Sequence, residues 1–161
     1  MSIEILLNER EVQMGLQAAM ARMINADRAN YKHKYASDHL TPDYILKLNW
    51  LGACAEIAAA KWLKVPDFVP SVDSYKDDPD IAPDWEVKHT EINTGHLIIQ
   101  ENDRDSDRVI LVTGSNPFVI QGWLPVKFCK DDLYLKTTSR NTAYWVPQSE
   151  LVKVYEPVPQ T

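Results

Sequence analysis

No apolar run in the chain approaches the roughly 20 residues that a membrane-spanning helix needs. The opening MSIEILLNEREV has no basic segment leading into a long apolar one. An unsecreted, cytoplasmic protein without a membrane contact is therefore expected. Cysteine is scarce. Cys54 and Cys129 are the only two; they lie far apart and outside any C-x-x-C or Cys/His spacing, so reduced, buried thiols are expected rather than a disulfide framework. His89 and His96 do not sit at ligand spacing, which argues against a zinc site. With only five glycines there is no glycine-rich phosphate loop and no G-x-S-x-G elbow, leaving NTPase and serine-hydrolase readings without support. Basic charge is also in deficit: 17 Lys and Arg against 23 Asp and Glu give a formal net charge of -6. Such a chain is no general coat for polyanions. It could still cut nucleic acid, because a metal-dependent site concentrates carboxylates and recovers affinity through the cation and a local basic patch. Arg22, Arg28, Lys32, His33 and Lys34 offer either such a patch or a solvated helix end and loop.

What is present fits one domain with a continuous core: 161 residues, 45% of them hydrophobic. After a short IEILLN strand, Val12, Leu16, Ala19, Met20 and Met23 recur at helical spacing, with Asn8 as N-cap. Thr41-Pro42-Asp43 supplies a capping residue, a proline at the first helical position and an acid in the first turn, so a second helix is expected from there to about Leu63. Its centre, WLGACAEIAAAKWL, is small and apolar enough to pack closely. From Asp67 the composition turns to strands: FVPSVDSY, WEVKHT, HLIIQ, RVILVT, FVIQGWLPV and AYWV, divided by the turn signals KDDPD, INTG, ENDRDSD, GSNP and TTSRN. The expected class is α+β or α/β, with two helices first and a mostly antiparallel sheet after them. The tryptophans Trp50, Trp62, Trp123 and Trp145 are expected in the core rather than as base-stacking platforms.

The chemistry concentrates in PDIAPDWEVKH, residues 79–89. Strand alternation in WEVKHT places Asp84, Glu86 and Lys88 on one face and Trp85, Val87 and His89 on the other. A tight turn at Ala82-Pro83 could bring Asp80 beside Glu86. Asp84, which shares a strand face with Glu86, is its rival. Two carboxylates held together repel, and either a pKa rises or a cation is recruited. Asp80, Glu86 and the carbonyl of Val87 offer hard oxygen ligands for part of a Mg²⁺ octahedron, and Lys88 offers an ammonium beside it.

Pro79-Asp80 followed by Glu86-Val87-Lys88, with Glu56 in the preceding helix, resembles the PD-(D/E)xK nuclease superfamily. The resemblance spans roughly Thr41 to Val126, about half the chain in motif terms. It implies a restriction-endonuclease-like fold, a central mixed sheet flanked by the two N-terminal helices, and Mg²⁺-dependent hydrolysis of DNA phosphodiesters, with Mn²⁺ as a substitute ion. Asp80, Glu86 and the Val87 carbonyl would be metal ligands, Lys88 the catalytic ammonium, and Glu56 a further metal contact, direct or through water. Some members carry a glutamine after the Glu-x-Lys strand; Gln100 is its counterpart only if HLIIQ starts a helix instead of forming a strand. The family core usually has a helix after its third strand, and no such pattern is found between Arg108 and Val126. The small acidic chain is similar to virus-encoded, phage-type members. A homodimer fits a family in which cutting two strands uses two sites. The alternative is a catalytically inactive module of the same fold that binds nucleic acid or a protein partner.

Overall fold

The computed structural model describes residues 2–28, 41–72, 77–139 and 141–153. Helix α1 (Glu9–Arg28) opens with a capping box: the Glu11 N–H donates to Asn8 Oδ1 at 2.9 Å and the Asn8 N–H to Glu11 Oε1 at 3.0 Å. Helix α2 (Pro42–Trp62) starts after Thr41 with proline in its first turn and closes at Leu63, beyond which Lys64 turns to positive φ. The small residues expected to permit close packing do so. Residues Ala53 to Ala60 are buried without interruption, and a Cβ added to Gly15 of α1 would meet Cys54 Sγ of α2 at 2.5 Å.

Four strands form a mixed sheet in the order β1 (Ile3–Ile5), β5 (Phe118–Pro125), β4 (Arg108–Gly114), β2 (Trp85–Thr90). β2 and β4 run parallel, while β4–β5 and β5–β1 are antiparallel. A second, antiparallel sheet has the order β3 (Leu97–Ile99), β7 (Thr142–Val146), β6 (Leu135–Thr137), and a one-turn helix α3 (Val126–Cys129) follows β5. The mixed sheet lies between two apolar layers. On one face Trp85, Ile110, Val112, Phe118 and Ile120 pack with Ile57, Ala58 and Trp62 of α2. On the other, Val109 and Leu111 pack with Leu97, Ile99, Tyr144 and Val146 of the second sheet. β4 is thus covered on both sides, which is why RVILVT reads as a continuous apolar run rather than an alternating one. Each of these large side chains contributes about 1.5–3 kcal/mol by leaving water. A bulge between Leu111 and Val112 lies opposite Gly122, where a Cβ would come within 2.7 Å of the Val152 carbonyl; only glycine lets β5 take the backbone bridge from Trp123 to Val152.

The α+β class and the two N-terminal helices are as expected, and four of the five strand pairings are antiparallel. The separation into two sheets was not. FVPSVDSY is not a strand over residues 68–72, and its last three residues lie outside the described ones. Pro66 and Pro70 carry no N–H, and the Ser71 and Val72 carbonyls are taken by Arg22 and Asn25 of α1. Among the described residues no helix is long and apolar enough to cross a membrane.

Candidate functional site

β2 is the outer strand of the mixed sheet, and its order in the chain sets the site. Its inner edge pairs with β4; on its outer edge the chain folds back so that Ile81 and Trp85 exchange both backbone hydrogen bonds, at 3.0 and 2.9 Å, across a turn containing a cis Ala82–Pro83 bond. Burial of Ile81 and Trp85 anchors that turn. Backbone groups alternate between the two edges of a strand. The Asp84 carbonyl accepts from Arg108 on the β4 side, so the N–H and carbonyl of Val87 face the outer edge. There Asp80 Oδ2 accepts the Val87 N–H at 2.8 Å, and the Asp80 and Glu86 carboxyls come within hydrogen-bonding reach of each other.

Two carboxyls in such a place ionise with difficulty. Burial, then repulsion from Asp80, pushes Glu86 up to about 8. Burial likewise raises Asp80, against the pull of the Val87 N–H and the Lys88 ammonium. Glu56, on α2, belongs to the same electrostatic cluster: burial and the Asp80 carboxyl push it up to about 8 in spite of Arg22.

The structure gives Glu56 a partner other than a metal. Arg22 Nη2 donates to Glu56 Oε2 at 2.8 Å with both side chains buried, and Arg22 Nε donates to the Ser71 carbonyl at 2.6 Å. Arg22 is therefore no part of a basic surface patch, because pairing with Glu56 draws it between the helices. Arg28 ends α1, and Lys32, His33 and Lys34 lie outside the described residues.

Asp84 is drawn away from the acid pair by Arg108, whose Nε and Nη2 donate to its two oxygens at 2.9 and 2.6 Å while the guanidinium lies 3.9 Å over the Trp85 ring. Gln100 follows strand β3, as the composition of HLIIQ expects; its side chain accepts from Asn141 and its N–H donates to Asp103. His89 turns to the opposite face from Lys88, against Phe118 and the Gly114 carbonyl. His96 packs against Trp145.

The loop from β3 to β4, residues 100–107, meets the Glu86–Lys88 face of β2. Lys88 Nζ donates to Asp103 Oδ1 at 3.1 Å; Arg104 Nη2 donates to Glu86 Oε1 at 3.3 Å, while its Nε donates to the buried Asp107 at 2.9 Å. Lys130, just past α3, holds this loop through the Glu101 and Asp103 carbonyls and the Asp105 carboxylate, each at 2.7 Å. These loop residues were invisible as site residues in the sequence, where ENDRDSD reads as a turn. Only its alternation of acids with Arg104 hints at ion pairing.

Among the described residues no group of three or more His, Cys, Asp and Glu side chains is arranged to hold a metal ion. Mg²⁺ asks for less, commonly one or two protein carboxylates with waters and substrate phosphates. Asp80 and Glu86, with the Val87 carbonyl on the same strand edge, are the oxygens that could hold such an ion, and repulsion between the two carboxyls favours a cation. An apolar cavity of about 340 Å³, lined by Val12, Trp50, Leu51, Cys54 and Phe118, includes none of these acids. Comparison with protein-family models, with characterised proteins and with solved structures finds no match to this chain.

Proposed function

We propose that this chain is a Mg²⁺-dependent nuclease that hydrolyses phosphodiester bonds of DNA on a restriction-endonuclease-like core. One observation carries the reading: Asp80 and Glu86, six residues apart in a Pro-Asp and Glu-x-Lys order, present adjoining carboxyls at the outer edge of β2. Asp80, Glu86 and the Val87 carbonyl would hold the ion. When bound, it supplies Lewis acidity at a phosphate oxygen and a lowered pKa for a water. Lys88 follows Glu86 on the same strand face and is partly exposed, so its ammonium offsets charge building on the phosphate oxygens. Arg22 and Glu56 tie α1 to α2 and to the Ser71 carbonyl. The mixed sheet with both N-terminal helices on one face supports the core; against it, a short turn rather than a helix joins β4 to β5.

A second reading, the catalytically inactive module, is favoured by one fact: Glu56, Glu86 and Lys88 each have a counter-charge within the chain. The two readings separate in one assay. Purified protein is incubated with end-labelled single- and double-stranded DNA in Mg²⁺ or Mn²⁺. Cleavage by the parent, lost in Lys88→Ala and Asp80→Asn proteins of native circular dichroism, is expected. No cleavage in either ion, together with no divalent binding by calorimetry, refutes the enzyme reading.

A further inference from the structure

We infer that Arg104 is a substrate-binding residue that exchanges Glu86 for a backbone phosphate of DNA, and that in the ligand-free protein it competes with the divalent cation for Glu86. The inference rests on the nuclease reading and assigns a residue outside its Asp80, Glu86 and Lys88 set.

Three features of the geometry point there. First, the two contacts of Arg104 are unequal. Asp107, whose side chain is only 6% exposed, holds the guanidinium at 2.9 Å, whereas the Glu86 contact is 3.3 Å, near the outer limit of a hydrogen bond. Asp107 can thus keep the fork oriented while the Glu86 side lets go. Second, the side chain is 35% exposed, so its planar donor set can reach a ligand outside the protein, and a guanidinium fork suits a phosphate. Third, its backbone is fixed. Lys130 ties the flanking Glu101, Asp103 and Asp105, and Asp103 engages Lys88 while the Gln100 N–H donates to Asp103 Oδ2 and the Gln100 carbonyl accepts from the Asp103 N–H. Preorganisation of this kind limits the entropy lost on binding.

The charges agree. Asp80, Glu86, Asp103 and Asp107 gather around two cations, Lys88 and Arg104, with Asp77 also acting on Arg104. A divalent ion held by Asp80 and Glu86 would displace the 3.3 Å contact of Arg104 with Glu86, and the freed guanidinium donors would then face a polyanion.

The experiment follows Arg104→Gln and Arg104→Lys in two measurements besides turnover. Mn²⁺ binding is read by calorimetry, and binding of a fluorescein-labelled DNA duplex is read by anisotropy in Ca²⁺ over a range of salt. Removing the guanidinium is expected to tighten Mn²⁺ binding severalfold, because a competing cation is gone. The same change weakens DNA binding about tenfold, the worth of one charge-assisted contact, and lowers the salt slope by about one. Arg104→Lys restores the salt slope but only part of the affinity. A merely structural role would weaken both ligands together. If the parent binds Mn²⁺ and cleaves DNA while Arg104→Gln leaves both affinities unchanged or lowers both, the Arg104 assignment is overturned and the nuclease reading stands. If the parent neither binds Mn²⁺ nor cleaves, both are overturned.

Discussion

Arg22→Met tests the buried ion pair that locks the two N-terminal helices. The substitution preserves most of the aliphatic stem but removes the 2.8 Å bond to Glu56 and the 2.6 Å bond to the Ser71 carbonyl. Breaking a buried pair by removing one partner costs about 3–5 kcal/mol when the remaining charge is stranded. Glu56 can escape stranding by taking a proton, since its folded value already stands at about 8. What is lost at neutral pH is therefore mainly two charge-assisted hydrogen bonds, at about 1.5–3 kcal/mol each, and a loss of at least about 3 kcal/mol is expected. In a chain of this length that lowers Tm by roughly 6–12 °C. The pH dependence has a definite sign. Without Arg22 the folded Glu56 value rises further above its unfolded one, so more stability is lost as pH climbs, and the variant should be worse at pH 8.5 than at pH 6. Urea denaturation at both pH values reads the cost, and Arg22→Met/Glu56→Gln should recover part of it because no ionisable carboxyl remains. A single-variant cost below about 1 kcal/mol, or a double variant as unstable as the sum of the two single changes, would refute this account of the pair.

Other outcomes follow from the same geometry. Without metal, Glu56 and Glu86 sit at about 8 in the fold against an ordinary 4.5, so the folded state holds more protons between those values and stability should fall as pH rises from 4.5 to 8. Mg²⁺ should flatten that slope, read as Tm against pH with and without the ion, and an unchanged slope would count against a cation at Glu86. Lys88→Ala should abolish cleavage by at least about a hundredfold while costing under about 1 kcal/mol in urea, because its partner contact to Asp103 is partly exposed. Arg108→Ala, which loses the two Asp84 bonds and the stacking on Trp85, should cost about 1–2 kcal/mol; unchanged cleavage by this variant would agree with Asp84 lying outside the site.

Some of this architecture could be read from the chain and some could not, for physical reasons. Asn8 and Pro42 announce the two helix starts because a capping box and a proline in the first turn are local chemistry within four residues, while Thr41 precedes α2 without a side-chain cap bond. The alternation of Trp85-Glu86-Val87-Lys88 announces a strand with one core face for the same kind of reason. Which sheet a strand joins is not local. HLIIQ and AYWV look like RVILVT, yet β3 and β7 pair in a second sheet laid over the Val109–Leu111 face. The charged face of β2 consequently meets the 100–107 loop instead of open water, and the ion pairs of Asp103 and Arg104 depend on that nonlocal placement. FVPSVDSY misled because Val and Phe suggest a strand while prolines and α1 side chains use its backbone differently. Glu56 in an apolar helix correctly signalled a need for a partner; the guanidinium that supplies it lies 34 residues earlier in the chain, beyond any sequence pattern.

Asp80 and Glu86 are expected to share one cation. Anomalous diffraction from crystals soaked in Mn²⁺ tests this most directly. One ion is predicted at the outer edge of β2, within coordination distance, about 2.1 Å, of an oxygen from each carboxyl and of the Val87 carbonyl. Density at other acids only, or none at concentrations that saturate ordinary Mg²⁺ enzymes, would contradict it.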